Sequence, residues 1–121
     1  MKMILAFLVI TLPLLSNAAH YFNDPSLTPE MNMKVDNYLT ERCQNYHDTQ
    51  AVIKSARLTK TLVEEDTNRP NVTFYTLDLA VTFDDGSGPF ELYQMIQFDN
   101  ETGPFEIVST FGACKAHLPG E

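Results

Sequence analysis

Residues 75–83 read Tyr75-Thr76-Leu77-Asp78-Leu79-Ala80-Val81-Thr82-Phe83, and every second side chain from Tyr75 onward is apolar while Thr76, Asp78 and Thr82 between them are polar. A strand sends successive side chains to opposite faces, so this stretch reads as a strand with one dry and one wet face. The same period of two recurs downstream. Phe90, Leu92, Gln94, Ile96 and Phe98 alternate with Glu91, Gln97 and Asp99, and a shorter run places Phe105, Ile107 and Phe111 inward with Glu106 and Thr110 outward. Upstream, residues 51–64 form the least regular candidate, because Ala56, Leu58 and Leu62 share a parity with Lys60; an edge strand or a bulge accounts for such a mixture.

The segments between these runs are short and rich in turn formers: Glu65 to Asn71 with Pro70, Asp84-Asp85-Gly86-Ser87-Gly88-Pro89, and Asn100-Glu101-Thr102-Gly103-Pro104. Strands joined this way are antiparallel hairpins. Before residue 50 the period is helical. Thr28 suits an N-cap, Pro29 the first helical position and Glu30 the positive end of the dipole. Met31, Val35, Tyr38, Leu39, Cys43 and Tyr46 then recur at steps of three and four, with Lys34, Asp36, Asn37, Glu41 and Gln44 on the remaining surface. The spacing predicts one long helix from Pro29 to Tyr46. Its stripe laid on the apolar face of a four-stranded meander gives an α+β two-layer domain.

Residues 1–18 read as a secretory leader: Lys2, an unbroken run from Met3 to Leu15, then Ser16-Asn17-Ala18. Cleavage after Ala18 leaves residues 19–121 as a single domain with no second apolar run of the roughly 20 residues that span a bilayer. Two other features agree with an extracellular location. Asn71-Val72-Thr73 and Asn100-Glu101-Thr102 are glycosylation sequons at expected turns, and Cys43 and Cys114 form an even pair that reads as a disulfide in an oxidising compartment. Sixteen acidic against eight basic side chains give a net charge of −8, which repels a phosphate backbone and disfavours nucleic acid and anionic membranes as partners.

A leader, one amphipathic helix and a meander of four strands resemble the cystatin-like superfamily, in particular its secreted nuclear-transport-factor-2-like domains. The resemblance covers nearly all of residues 19–121 and lies in the order and length of elements. It implies a curved sheet whose concave face, carrying Leu77, Leu79, Leu92 and Ile96, holds the helix or a pocket. Cystatins inhibit papain-like proteases through a Gly near the N-terminus, a Gln-x-Val-x-Gly turn and a Pro-Trp pair. Here the segment before Asp24 and the turn Glu65-Asp66-Thr67-Asn68-Arg69-Pro70 contain no Gly, Gln50-Ala51-Val52 continues as Ile53-Lys54, and only Pro104-Phe105 stands where Pro-Trp would be. A glycan on Asn100 would obstruct that turn.

No reactive constellation is visible. His20, His47 and His117 lack metal-ligand spacing, and residues 84–88 lack the alternating acids and distal Glu of a calcium loop. Asp78 points to the wet face by parity. No nucleophile, phosphate loop or dinucleotide motif appears, so no catalytic, cofactor-binding or metal-binding residue is assigned. The aromatic residues Phe74, Phe83, Phe90, Phe98, Phe105 and Phe111 are read first as filling between helix and sheet. Alternatively Phe74, Tyr93 and Met95, on the opposite parity, make an exposed apolar patch for a protein partner or a small apolar ligand. The chain is therefore read as a secreted non-catalytic binding protein, with a cystatin-type inhibitor and a small enzyme using the concave face as alternatives. Expression in a eukaryotic secretory host is expected to yield a chain starting at Ala19 whose mass falls when N-linked glycans are removed enzymatically; mass spectrometry of the intact protein reads both.

Overall fold

The computed structural model describes residues 20–44, 46 and 50–115; the leader, His47 and His117 lie outside the described residues. Helix α1 spans Pro29–Arg42, and strands β1 (Val52–Glu65), β2 (Thr73–Asp84), β3 (Pro89–Asp99) and β4 (Glu106–Gly112) form an antiparallel sheet in the order β1-β2-β3-β4. This is the α+β meander that the two periods predict.

The helix starts where its signals place it. Thr28 holds extended dihedrals and its Oγ1 accepts the Met31 N–H at 3.1 Å, with Pro29 next in line. It ends earlier than the stripe suggests, at Arg42 after 14 residues rather than at Tyr46. Cys43 leaves the helical region (φ −117°, ψ 9°) while its N–H still reaches the Leu39 carbonyl. Beyond it the Gln44 carbonyl accepts the Ile53 N–H and the Tyr46 N–H donates to the Ala51 carbonyl. The chain exchanges helical bonds for bonds to the entry of β1. Tyr46 keeps its apolar role, its ring 5.6 Å from that of Phe83.

Met31, Val35, Tyr38 and Leu39 of α1 are buried against Leu77, Leu79, Val81 and Phe83 of β2 and Ile96 and Phe98 of β3, all in one core cluster. Each such side chain contributes about 1.5–3 kcal/mol of burial, so this interface dominates the favourable side of folding. Burial also holds the Tyr38 phenol above its ordinary range, and its hydroxyl donates to the Lys115 carbonyl at 2.9 Å. The Cys43–Cys114 disulfide and the bond from the Lys115 N–H to the Arg42 carbonyl tie the end of the helix to the exit of β4.

Three single-residue slips bend the sheet. In β1 the register skips Lys54 and Thr59, and in β4 it skips Val108, since Gln97 faces Ser109 while Phe98 faces Ile107. Strand β1 is thus both an edge strand and a bulged one. After Thr59 its parity reverses, so Lys60 faces Asp78 and Leu62 faces Thr76 on the side away from the helix.

Asp36 and Asn32 are buried, and for Asp36 this corrects its expected place on the polar side of α1. The Asp36 carboxylate accepts the backbone N–H groups of His20 (3.3 Å), Tyr21 (2.7 Å) and Phe22 (3.1 Å). Asn32 accepts the Asp24 N–H and donates to the Asp24 carbonyl. Together they fasten the segment preceding the helix, whose Phe22 and Leu27 complete the core. Asp36→Ala leaves three backbone donors without their acceptor and is expected to cost about 3 kcal/mol. Urea unfolding measures the loss, and hydrogen exchange should show the Tyr21 and Phe22 amides deprotected first.

Candidate functional site

The face of the sheet away from the helix carries the exposed apolar surface. Asp78 faces Met95 across the β2–β3 ladder, and Ala80 faces Tyr93. Met95 in turn faces Phe111 across β3–β4, and Gln94 faces Gly112. The expected inward position of Phe111 is corrected here: it is 78% exposed, beside Tyr93 at 68%. The cause is the extra residue at Val108, which turns Thr110 toward Ile96 and swings Phe111 to the other face. Adjacent apolar residues Ile107 and Val108 are the sequence signal of that slip.

Thr59, Lys60, Asp78, Tyr93, Gln94, Met95, Phe111 and Gly112 line an open groove of about 460 Å³. Its wall at β3 and β4 is aromatic and thioether, and its wall at β1 and β2 is Lys60 and Asp78. The Thr59 hydroxyl donates to the Asp78 carbonyl at 2.9 Å, which holds the bulge that puts Lys60 at the rim. Below the groove Gln94 is 1% exposed, its Oε1 accepting the Cys114 N–H at 2.8 Å and its Nε2 donating to the Met95 carbonyl at 2.9 Å. This buried amide fixes both the strand carrying Tyr93 and Met95 and the turn carrying the disulfide.

The rest of this face frames the groove. On one side Arg57 and Glu91 form an exposed ion pair at 3.3 Å. On the other, Gln97 donates to the Thr76 hydroxyl at 3.2 Å, and beyond it lies Phe74. Phe74 does not join Tyr93 and Met95, nor does it enter the helix interface. It faces Asp99, four residues along β3 from Met95 and so about 13 Å away. The Arg69 guanidinium covers its ring at 5.4 Å while bonding Asp66 and Glu101, each at 2.7 Å. Those bonds hold Arg69 above its ordinary pKa, Glu101 contributing most; Asp66, which also accepts the Asn68 N–H, is kept below its own, first by that bond and then by Arg69. Phe83 and Phe98 are in the core, and Phe90 and Phe105 lie half-buried against it. Phe105 meets Tyr75 edge-on at 5.0 Å, and its carbonyl accepts a bond from Lys34 Nζ at 2.7 Å.

Other sequence candidates take local roles. Asp84 Oδ1 accepts the Gly86 N–H, and Asp85 Oδ1 accepts both the Ser87 N–H and its hydroxyl, so the β2–β3 turn uses its carboxylates internally. The Ser87 bonds keep the Asp85 carboxyl below its usual value. The His20 ring lies 4.0 Å from the ring of Tyr21. Among the described residues, no group of three His, Cys, Asp or Glu side chains is placed to hold a metal ion, and no helix is long and apolar enough to cross a membrane. Asn71 is exposed with φ 67°, and Asn100 Oδ1 accepts the Thr73 N–H at 2.8 Å, which brings the two sequons together at one end of the sheet.

No protein-family model, curated protein or solved structure matches this chain.

The floor of the groove depends on Gly112. A Cβ there would lie 2.5 Å from the Tyr93 carbonyl oxygen and 2.8 Å from Gln94 Cα, at φ +140°. Gly112→Ala is expected to cost about 2–4 kcal/mol in thermal unfolding through backbone strain and overpacking. Gly86→Ala, with nothing within 4 Å of its Cβ, provides the comparison and is expected to lose only the strain of about 1 kcal/mol.

Proposed function

We propose that the chain is an exported, glycosylated, non-catalytic binding protein of cystatin-like build, nearest the nuclear-transport-factor-2-like domains, and that it takes an apolar ligand or partner group in the groove on the outer face of its sheet. The observation that carries this reading is the pair Tyr93 and Phe111, two large rings left exposed around one concavity while Leu77, Leu79, Val81, Phe83, Ile96 and Phe98 of β2 and β3 are withdrawn under the helix. Exposing aromatic surface costs solvation free energy that a partner recovers, which is why such patches mark contact sites. Lys60 and Asp78 at the rim supply one cation and one carboxylate to orient what enters.

Export is supported by the leader pattern, the two sequons and the Cys43–Cys114 bond, a linkage that persists in oxidising compartments. The cystatin-like build is supported by one helix laid across a four-stranded antiparallel meander.

The probe is an apolar anion, anilinonaphthalene sulfonate, titrated into the full chain and followed by fluorescence and by NMR shifts. Binding is expected to move the resonances of Tyr93, Met95, Phe111 and Lys60. Phe111→Ser is expected to weaken it roughly tenfold, the equivalent of about 1.4 kcal/mol, with little effect on the unfolding midpoint because that ring buries little area. Shifts confined to core residues, or affinity unchanged in Phe111→Ser, would remove the groove as the site.

A further inference from the structure

The outer edge of β1 is covered only over its first half. Ala56 donates its N–H away from β2, to the Tyr21 carbonyl, and Ile53 does the same to Gln44. At the far end Asp66 donates toward β2, to the Val72 carbonyl. Counting back from Asp66 in steps of two, Glu64, Leu62 and Lys60 turn their backbone groups to β2, while Thr61, Val63 and Glu65 turn theirs outward. Among the described residues no hydrogen bond reaches those outward groups. Side chains from Lys60 to Glu65 are all exposed, Leu62 at 44% and Val63 at 51%.

We infer that this half-edge pairs with the same edge of a second copy of the chain, antiparallel and two-fold symmetric, with Leu62 facing the partner's Leu62 on the axis. The stretch Lys60-Thr61-Leu62-Val63-Glu64 is self-complementary about Leu62. Thr61 faces the partner's Val63, and these are the positions whose N–H and carbonyl groups point outward, so four backbone hydrogen bonds close around the axis. Lys60 faces the partner's Glu64, and the symmetry makes that ion pair twice. Lys60, Leu62 and Glu64 lie on one face of β1, in the pair type where opposing side chains come closest. Neither Lys60 nor Glu64 makes an ion pair among the described residues of its own chain.

Centring the seam one residue away fails on backbone or on charge. An axis between residues brings outward groups against inward ones, and an axis on Val63 places Leu62 against Glu64. Repulsion between two copies of charge −8 is screened over about 8 Å at physiological salt, whereas the Lys60–Glu64 pairs act at contact. The product is a continuous eight-stranded sheet with both grooves on one face. Such a seam is smaller than the about 1,200 Å² of stable interfaces, so the dimer is expected to be concentration-dependent.

Sedimentation equilibrium of the full disulfide-bonded chain, up to about 1 mM, tests this together with amide exchange. Dimer should form with added protection at the Thr61 and Val63 amides. Glu64→Lys or Lys60→Glu alone makes both ion pairs repulsive and should weaken association roughly ten- to a hundredfold, and the double exchange should restore it. Val63→Pro deletes an outward N–H without touching the β1–β2 bonds and should abolish association. A monomer throughout the range overturns the inference. So does a dimer that ignores the charge exchanges and is lost in Phe111→Ser, which would put the contact on the groove.

Discussion

A pleated strand must alternate its side chains between two faces, and one extra residue in a ladder reverses the assignment for everything after it. That constraint governs this protein. Where the ladders run without interruption, from Phe74 to Asp84 against Pro89 to Asp99, Leu77, Leu79, Val81, Ile96 and Phe98 fall under the helix with nothing exposed. Where a residue is inserted, the outcome inverts. Thr59 carries Lys60 and Leu62 to the outer face, and Val108 carries Phe111 there. One residue of each groove wall, Lys60 and Phe111, is therefore placed by an insertion, while Asp78, Tyr93 and Met95 stand where the uninterrupted alternation of β2 and β3 puts them.

Buried polar side chains hold the joins between elements in place. Gln94 occupies an inward position among aliphatic neighbours, yet its amide is satisfied by Cys114 and Met95, so its burial costs little and fixes the exit of β4. Asp36 and Asn32 act likewise at the opposite side of the helix, collecting backbone donors from the segment ahead of it. Each spans a join between elements that apolar contacts alone would leave free to slide. Directional bonds supply the register there, and burial supplies the bulk of the stability.

The sequence made much of the fold legible. The start of the helix, the four strands, their antiparallel order and the cysteine pair all follow from periodicity, turn chemistry and an even thiol count. The end of the helix was hidden because Tyr46 continues the stripe geometrically after the backbone has left it to bond with residues 51–53. The burial of Asp36 was hidden because a helical wheel places it at the border of the stripe and does not show the donors arriving from residues 20–22. Of the candidate patch, Tyr93 and Met95 were legible by parity. Phe74 shares that parity but lies too far along the strand, and parity misplaces Phe111 because an inserted residue leaves composition and average period almost unchanged.

The linear order of the strands has a consequence for how the molecule is made. Each strand meets only its neighbour in the chain, so the sheet can grow by closing one short hairpin after another, the kinetically undemanding kind of assembly. The helix end is joined across the whole meander instead, because Cys43 and Arg42 bond residues 114 and 115, which follow the last of the four strands. The disulfide therefore acts as a latch over all four strands. With a single other thiol in the chain there is no wrong intramolecular partner to choose, so closure of that latch requires no shuffling by an isomerase.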